Sequence, residues 1–368
     1  MNRAWRVLAE DGVSAAFGLA ADETLARRQG HGSPPTVRLY TYAPDAALVG
    51  RFQRVASELR LDACRARGIA VNRRPTGGGA ILMGPDQLGV AIAVPEDGGP
   101  RSWGRIRELF QRFGAGLVEA LAALGVRAEY RRKNDLEVGG RKIAGLGICF
   151  DRAGGLLFHA SLLVDLDVAL MLEVLRTPFE KVSDKAIASV AERITTVRRA
   201  CGAPVSVDEV RARVRAAYAR TLGVVLEPGA LTPDERGAIA ALEAERYRAE
   251  AWIFQEPAVP DAQGSASVKT AGGLVSAHLT LAGDVIKALY LAGDFFGDER
   301  VVGGVERALR WHASEPARVA ATLAGLAEEG LALPQISAEE LARVVAAAVD
   351  AARRSEQGAQ AKGCFVNP

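Results

Sequence analysis

Apolar residues along the chain change their spacing from stretch to stretch, and the changes predict its elements. Trp5-Arg6-Val7-Leu8 and residues 37–42 alternate as strands, with a helix predicted over 15–28 between them and another over 57–67, in which Cys64 is a small core residue. The unbroken apolar run from Leu88 to Val94 reads as a buried strand. Between Gly104 and Gly125, Ile106, Leu109, Phe110, Phe113, Leu117, Leu121 and Leu124 recur at steps of three and four, which marks one long amphipathic helix lying on a sheet. Residues 136–138 and 141–144 flank Gly139-Gly140, the signature of a two-residue hairpin. The second strand runs on to Phe150, and a further strand covers 156–164 after the turn at 151–155. A helix is predicted over 168–175, followed by a charged loop and turn over 183–196. Ser206-x-x-Glu209 caps a helix to about residue 221, and Thr232-Pro233-x-Glu235 starts another.

Residues 255–267 hold Pro257, Pro260 and Gly264 and few large apolar residues, so they are predicted to be a linker. Beyond it, 274–281 and 285–291 alternate about Ala282-Gly283-Asp284 as a hairpin, with helices from Asp298, near Ser314 and from Ser337-x-x-Glu340. The expected organisation is therefore a domain over 1–254 with a helical end from about 206, a linker over 255–267, a second domain over 268–352 and a polar tail over 353–368, mobile to Gly363.

Composition narrows the function classes. A hydrophobic content of 49% in 368 residues supports two cores, and a net charge of only +2 argues against a dedicated nucleic-acid binder. A local basic surplus at Arg127, Arg131, Arg132 and Lys133 reads as a site or partner surface. Cys64, Cys149, Cys201 and Cys364 are too scattered for a zinc site or a disulfide framework, and no membrane span or secretory signal is visible, so a cytoplasmic protein is expected.

The stretch Arg73-Arg74-Pro75-Thr76-Gly77-Gly78-Gly79-Ala80 stands out chemically. Three consecutive glycines let backbone N–H groups approach a ligand, and two adjacent arginines offer donors for a carboxylate or phosphate. The loop reads as an anion cradle or as a mobile turn with solvated arginines. The predicted strand over 88–94 favours the cradle, since the loop is then held on core structure. Lys142, on the second hairpin strand, reads by itself as an exposed edge lysine.

Taken together, Arg73 to Ala80, Asn134-Asp135, Gly140-Arg141-Lys142-Ile143-Ala144-Gly145 and His159-Ala160-Ser161-Leu162-Leu163 resemble the lipoate-protein ligase A family. The blocks Trp5 to Leu8, Ala21-Asp22-Glu23, Val37 to Tyr40 and Val49 to Gln53 resemble the opening of that family in the same order, and Gly272-Gly273 with Gly293-Asp294-Phe295-Phe296 resemble its accessory carboxy-terminal domain. The resemblance implies an α+β fold: a mixed β-sheet catalytic domain of biotin/lipoyl ligase type flanked by helices, plus a small α+β accessory domain. It implies Lys142 as the catalytic residue. It further implies Arg73, Arg74, Thr76, Gly77, Gly78, Gly79 and Ala80 with Asn134, Asp135, His159, Ala160 and Ser161 as contacts of substrate and adenylate. Two departures stand out: Met83 where the family usually has a histidine, and His159-Ala160-Ser161 for His-Gly-Thr.

The implied activity is ATP-dependent ligation of lipoate or octanoate, through a lipoyl-AMP intermediate, to a lysine of a lipoyl acceptor domain. ATP and Mg²⁺ are the expected cofactors, with Asp135 a candidate Mg²⁺ ligand. Acceptors of the 2-oxoacid dehydrogenase E2 or glycine cleavage H protein type are the expected partners, and nucleic acid and membrane are not. Two alternatives stay open: an octanoyl or lipoyl transferase of the same fold working through a thioester, and a biotin-type protein ligase. In the cysteine-using branch the nucleophile precedes the Asn-Asp region, where residues 128–133 contain no cysteine. Cys149 lies in an apolar strand, where a structural thiol is expected.

Overall fold

Strand β1 (Ala4–Val13) and helix α1 (Ala15–Arg27) open the chain, joined by Ser14, whose hydroxyl accepts the Phe17 N–H as an N-cap. The computed structural model describes residues 4–97, 103–131, 134–151, 153–176, 184–255 and 263–361. Strands β2 (Thr36–Tyr42) and β3 (Ala46–Val49) follow, then α2 (Val55–Glu58), α3 (Leu61–Ala66), β4 (Ala70–Arg73), β5 (Ile81–Met83) and β6 (Gln87–Pro95). The long helix α4 (Trp103–Ala122) precedes β7 (Glu129–Tyr130), β8 (Asp135–Val138), β9 (Arg141–Phe150) and β10 (Gly155–Leu163). Short helices α5 (Val168–Val174), α6 (Asp184–Ala191) and α7 (Val197–Cys201) lead to α8 (Val207–Leu222), β11 (Val225–Pro228), α9 (Pro233–Leu242) and α10 (Glu250–Ile253). The last stretch holds β12 (Gly264–Thr270), β13 (Gly273–Ala282), β14 (Val285–Gly293), α11 (Glu299–Leu309), β15 (His312–Ala313), α12 (Pro316–Glu328) and α13 (Ala338–Ala361).

Contacts divide the chain into two units. One comprises Met1–Val49, Val55–Thr76 and Ala80–Phe254; the other comprises Gly50–Arg54, Gly77–Gly79 and Gln255–Pro368. The first is built on an eight-stranded mixed sheet in the order β11-β1-β2-β6-β10-β9-β8-β7, with a small three-stranded sheet β4-β3-β5. Strand β1 runs parallel to β2 and β11, and the remaining neighbours in the large sheet are antiparallel. Helix α4 covers one face: Phe113 meets Phe158 at 5.3 Å between ring centroids, and Gly114 lies under Leu146. Helix α1 packs on the other face among Tyr40, Ala91, Ala93 and Leu157. The second unit is a four-stranded antiparallel sheet, β12-β13-β14-β15, whose Val275, Leu279 and Leu291 pack with Val302, Val305, Val344 and Val345 of its helices. It also takes in Phe52, stacked on Phe295 at 5.0 Å. Among the described residues no helix is long and apolar enough to cross a membrane.

The hairpin, the long helix and the caps appear where the pattern puts them; Thr232 and Glu235 form a complete capping box with Pro233 in the first turn. Four segments differ. The helix expected over 57–67 is broken into α2 and α3, because Leu59 turns fully inward to bridge Leu175 and Arg60 donates to the Leu172 and Leu175 carbonyls. The charged stretch 183–196 contains helix α6. Residues 264–267, expected in the linker, begin β12: ladder pairing is made by backbone, so small serines serve as well as large apolar residues. The polar tail is helical as far as Ala361, continuing α13. Arg132, Lys133, the side chain of Lys185 and residues 364–368 lie outside the described residues.

Candidate active site

Lys142 stands at the start of β9, just beyond the Gly139-Gly140 turn, where both glycines have positive φ of 55° and 76°. A register shift between Leu136 and Glu137 sets Glu137, not Asp135, opposite Lys142. The side chain nevertheless reaches back, and Nζ lies 2.8 Å from Asp135 Oδ1. That is an ion-pair distance without hydrogen-bond alignment, so the buried Oδ1 retains its accepting capacity. The Lys142 backbone is held from the far side as well, donating to the Arg193 carbonyl at 2.8 Å and accepting from Thr195 N–H at 2.9 Å. The segment after α6 thus acts as a brace for this lysine, a role that its composition gave no sign of.

The register of four strands brings the remaining groups together. One row across the sheet runs Tyr40, Gly89, Ser161, Gly145; the next runs Arg38, Ala91, His159, Gly147; a third runs Thr36, Ala93, Leu157, Cys149. Side chains two apart on a strand share a face, so Ser161, His159 and Cys149 stand on one side and Ala160 on the other, buried. The glycines of β9 matter here. A Cβ on Gly145 would lie 3.1 Å from Lys142 Nζ and 3.6 Å from Ser161 Oγ, and one on Gly147 would lie 2.1 Å from His159 Nε2. The strip is bare because the lysine and the imidazole already fill the space above it.

His159 Nε2 is 2.8 Å from Thr76 Oγ1, which ties the residue before the glycines to the middle of the sheet. Burial, and then the charge of Arg74, push the His159 pKa down to about 3, so the ring is neutral at physiological pH. Some ring surface remains exposed. Arg74 is itself buried, which lowers its pKa to about 10, and Nη1 donates to the Leu48 carbonyl at 3.0 Å. Arg73 is completely buried, its Nε donating to the Trp252 and Ile253 carbonyls while Trp252 Nε1 donates back to the Arg73 carbonyl. Asn134 donates from Nδ2 to the Leu146 carbonyl at 2.8 Å, and its own carbonyl accepts from Leu146 N–H at 2.7 Å, so it extends the β8–β9 ladder. Gly77, Gly78 and Gly79 belong to the second unit, Gly78 with φ of 97°, and Ala80 packs beside Leu82 and Val49. Met83, standing where the resembled family usually has a histidine, is buried in the apolar cluster of Leu48, Tyr42 and Ala91.

The structure therefore unites Lys142, Asp135, Ser161, His159 and Thr76 on one face, while Arg73, Asn134 and Ala160 serve the framework. Among the described residues no three His, Cys, Asp or Glu side chains cluster as a metal site. Asp135 is one carboxylate facing an ammonium, a donor set that suits a Mg²⁺ held chiefly by phosphates and water. Cys149 packs against the α1 cluster at the apolar end of its row.

The His159 shift has a checkable consequence. Between pH 6.5 and about 3 the unfolded chain binds a proton that the folded chain refuses, so stability from this group is complete above pH 6.5 and is lost as pH falls towards 3. The thermal midpoint of the wild type is expected to fall more steeply from pH 7 to 4.5 than that of His159→Gln. Parallel profiles would show that His159 is not held neutral.

Residues 14–219 match the model of the lipoyl protein ligase A/B catalytic domain. The chain is similar to the octanoyltransferase LipM of Kyrpidia tusciae, 33% identical over 276 residues that cover 68% of this chain and 99% of the relative. It is similar to the bi-partite lipoate protein ligase of Thermoplasma acidophilum, solved as part of an archaeal lipoylation system with its E2 lipoyl domain: TM-score 0.62 and 28% identity over 69% of this chain and 97% of that one. A lipoate-protein ligase A bound with ATP gives a TM-score of 0.60 and 26% identity over 68% of this chain and 98% of its own.

Proposed function

Because this chain belongs to the lipoyl protein ligase A/B catalytic domain family, we propose that it acylates a lysine of a lipoyl domain, and that it does so as an octanoyltransferase. The observation that carries the reading is the 33% identity to an octanoyltransferase LipM across 99% of that relative's length. An octanoyl thioester is already activated. The acceptor ε-amine attacks its carbonyl carbon, the amide bond forms, the C–S bond breaks, and the thiol leaves with a proton from the amine. Charge builds on the carbonyl oxygen during the attack, and a fixed ammonium beside it is worth most at that moment. Lys142, steered by Asp135 and lying over Gly145, is the group suited to this, with the Ser161 hydroxyl close by. A neutral His159 beside this group adds no charge to an apolar acyl chain.

Cys149 is half-buried in apolar surroundings, and we assign it no covalent intermediate. Cys149→Ser is therefore expected to transfer octanoate within a few fold of the wild-type rate; loss of transfer with an unchanged thermal midpoint would install a thioester on this sulfur.

ATP-dependent ligation of lipoate is the second reading. It is supported by the open accepting oxygen of Asp135 beside Lys142, a setting suited to a nucleotide, and by the likeness to an ATP-bound lipoate-protein ligase A. One assay separates the two. The pure protein and an isolated lipoyl domain are given either an octanoyl thioester of acyl carrier protein without ATP, or free octanoate or lipoate with ATP and Mg²⁺, and the acylated domain is measured by mass. Transfer from the thioester alone is expected. Acylation only with free acid and ATP would replace the first reading with the second.

A further inference from the structure

Trp311, between α11 and β15, is 60% exposed, the highest value for any large apolar side chain among the described residues. Its backbone lies in the left-handed region at φ 61°, a conformation that disfavours a bulky residue. The surrounding structure enforces it. Trp311 N–H donates to the Ile286 carbonyl at 2.6 Å, His312 pairs with Ile286 in the ladder, and the His312 ring is fastened by Thr322 Oγ1 at 2.9 Å. Glycine would make this turn without strain, and the indole contributes little to the core. An aromatic kept in a costly conformation and facing solvent points to a use outside the fold.

The neighbours indicate what it meets. Lys287 follows Ile286, whose carbonyl accepts the Trp311 N–H, and Arg310 precedes Trp311 in the chain. Both cations are exposed, and neither forms an ion pair among the described residues, whereas the nearby Asp284 is engaged by Arg353 at 2.9 Å. Glu315 is the exposed carboxylate that follows in the chain. An exposed indole flanked by two uncommitted cations matches an interface anchor for an acidic protein surface.

We propose that Trp311, Lys287 and Arg310 form a docking surface for an acidic face on the acyl-acceptor domain, an inference that rests on the function proposed above. A net charge of +2 on the whole chain disfavours nucleic acid as the occupant. The octanoyltransferase relative is spanned almost completely by 68% of this chain, and the remainder is comparable in length with Gln255–Pro368, which carries the patch. The stretch Gln255–Pro368 lies beyond residues 14–219, which match the catalytic-domain model, and is thus free to serve recognition rather than acyl transfer itself.

The test uses the full chain, as wild type, Trp311→Ala and Lys287→Glu/Arg310→Glu, with an isolated lipoyl domain and, separately, hydroxylamine as acceptors. Both variants are expected to raise KM for the domain about tenfold or more, with kcat and the hydroxylamine rate within about twofold and the thermal midpoint unchanged. Unchanged KM in both variants, or equal losses with both acceptors, would overturn the proposal. Calorimetric titration of the domain into the chain decides the matter without turnover. Weaker binding by both variants supports docking even if no acyl transfer is found, whereas equal binding by all three proteins overturns it. Selective loss of binding to a short DNA duplex, with domain binding intact, would assign the patch to nucleic acid and overturn it as well.

Discussion

Lys142→Ala is expected to lower acyl transfer by roughly two to three powers of ten, the loss typical of removing one fixed donor from a developing oxyanion. The fold should survive. The backbone at 142 is clamped by Arg193 and Thr195 independently of the side chain, and the ammonium is partly solvent-exposed, so its removal leaves no sealed cavity. Lys142→Arg is expected to restore little. Nζ sits over Gly145 so closely that even a Cβ there would lie at 3.1 Å, and a planar guanidinium needs more room than a compact ammonium. Single-turnover acylation of a lipoyl domain, read beside the thermal midpoint, checks both variants. A rate for Lys142→Ala within a few fold of wild type, at equal stability, would return this residue to the status of an ordinary edge-strand lysine.

Arg38→Leu is expected to have the largest effect on stability, on the order of 3–5 kcal/mol. Arg38 is completely buried beneath α1, with Nη1 2.8 Å from Asp22 Oδ1 and 3.1 Å from the Gly18 carbonyl, and its Nε bonded to Glu10. Tyr40 donates to Asp22 Oδ2 at 2.9 Å. Burial already raises the Asp22 pKa against the pull of Arg38. Without the guanidinium, the carboxyl must ionise unpaired or take up a proton, and either course costs stability. The double variant Arg38→Leu/Asp22→Leu is expected to recover part of the loss, because apolar replacement of both partners removes the stranded charge. Urea unfolding, followed through the transition in which acyl transfer disappears, measures it. A single variant within 1 kcal/mol of wild type, or a double variant less stable than the single, would show that this network does not anchor α1 to β2.

Much of the architecture was legible in order along the chain. The steps of three and four from Ile106 to Leu121 placed α4, Gly139-Gly140 placed the hairpin, and Thr232-Pro233-x-Glu235 placed the start of α9. Each is a short-range effect, a matter of periodicity, a positive φ or a local cap, and so each is written in neighbouring residues. Residues 57–67 misled for the converse reason: Leu59 and Arg60 leave the helical path to meet Leu172 and Leu175, partners more than a hundred positions away.

The site divides along the same line. By itself the sequence determined which groups are available: a lysine after Gly140-Arg141, a glycine-rich loop after two arginines, and a histidine and a serine two apart on a strand. Tertiary structure decided which of them meet. The bulge at Ile143 in β9 and the reach of the lysine bring Lys142 to Asp135, and the pairing of β9, β10 and β6 sets His159 over Gly147 and Ser161 beside Gly145. It also turned Arg73 and Asn134 inward to backbone carbonyls and left Trp311 outward among cations. The physical reason is that side-chain chemistry and local torsions belong to each residue and its neighbours. Strand register, burial and the pairing of charges belong instead to contacts between distant segments, and those exist only once the chain has closed on itself.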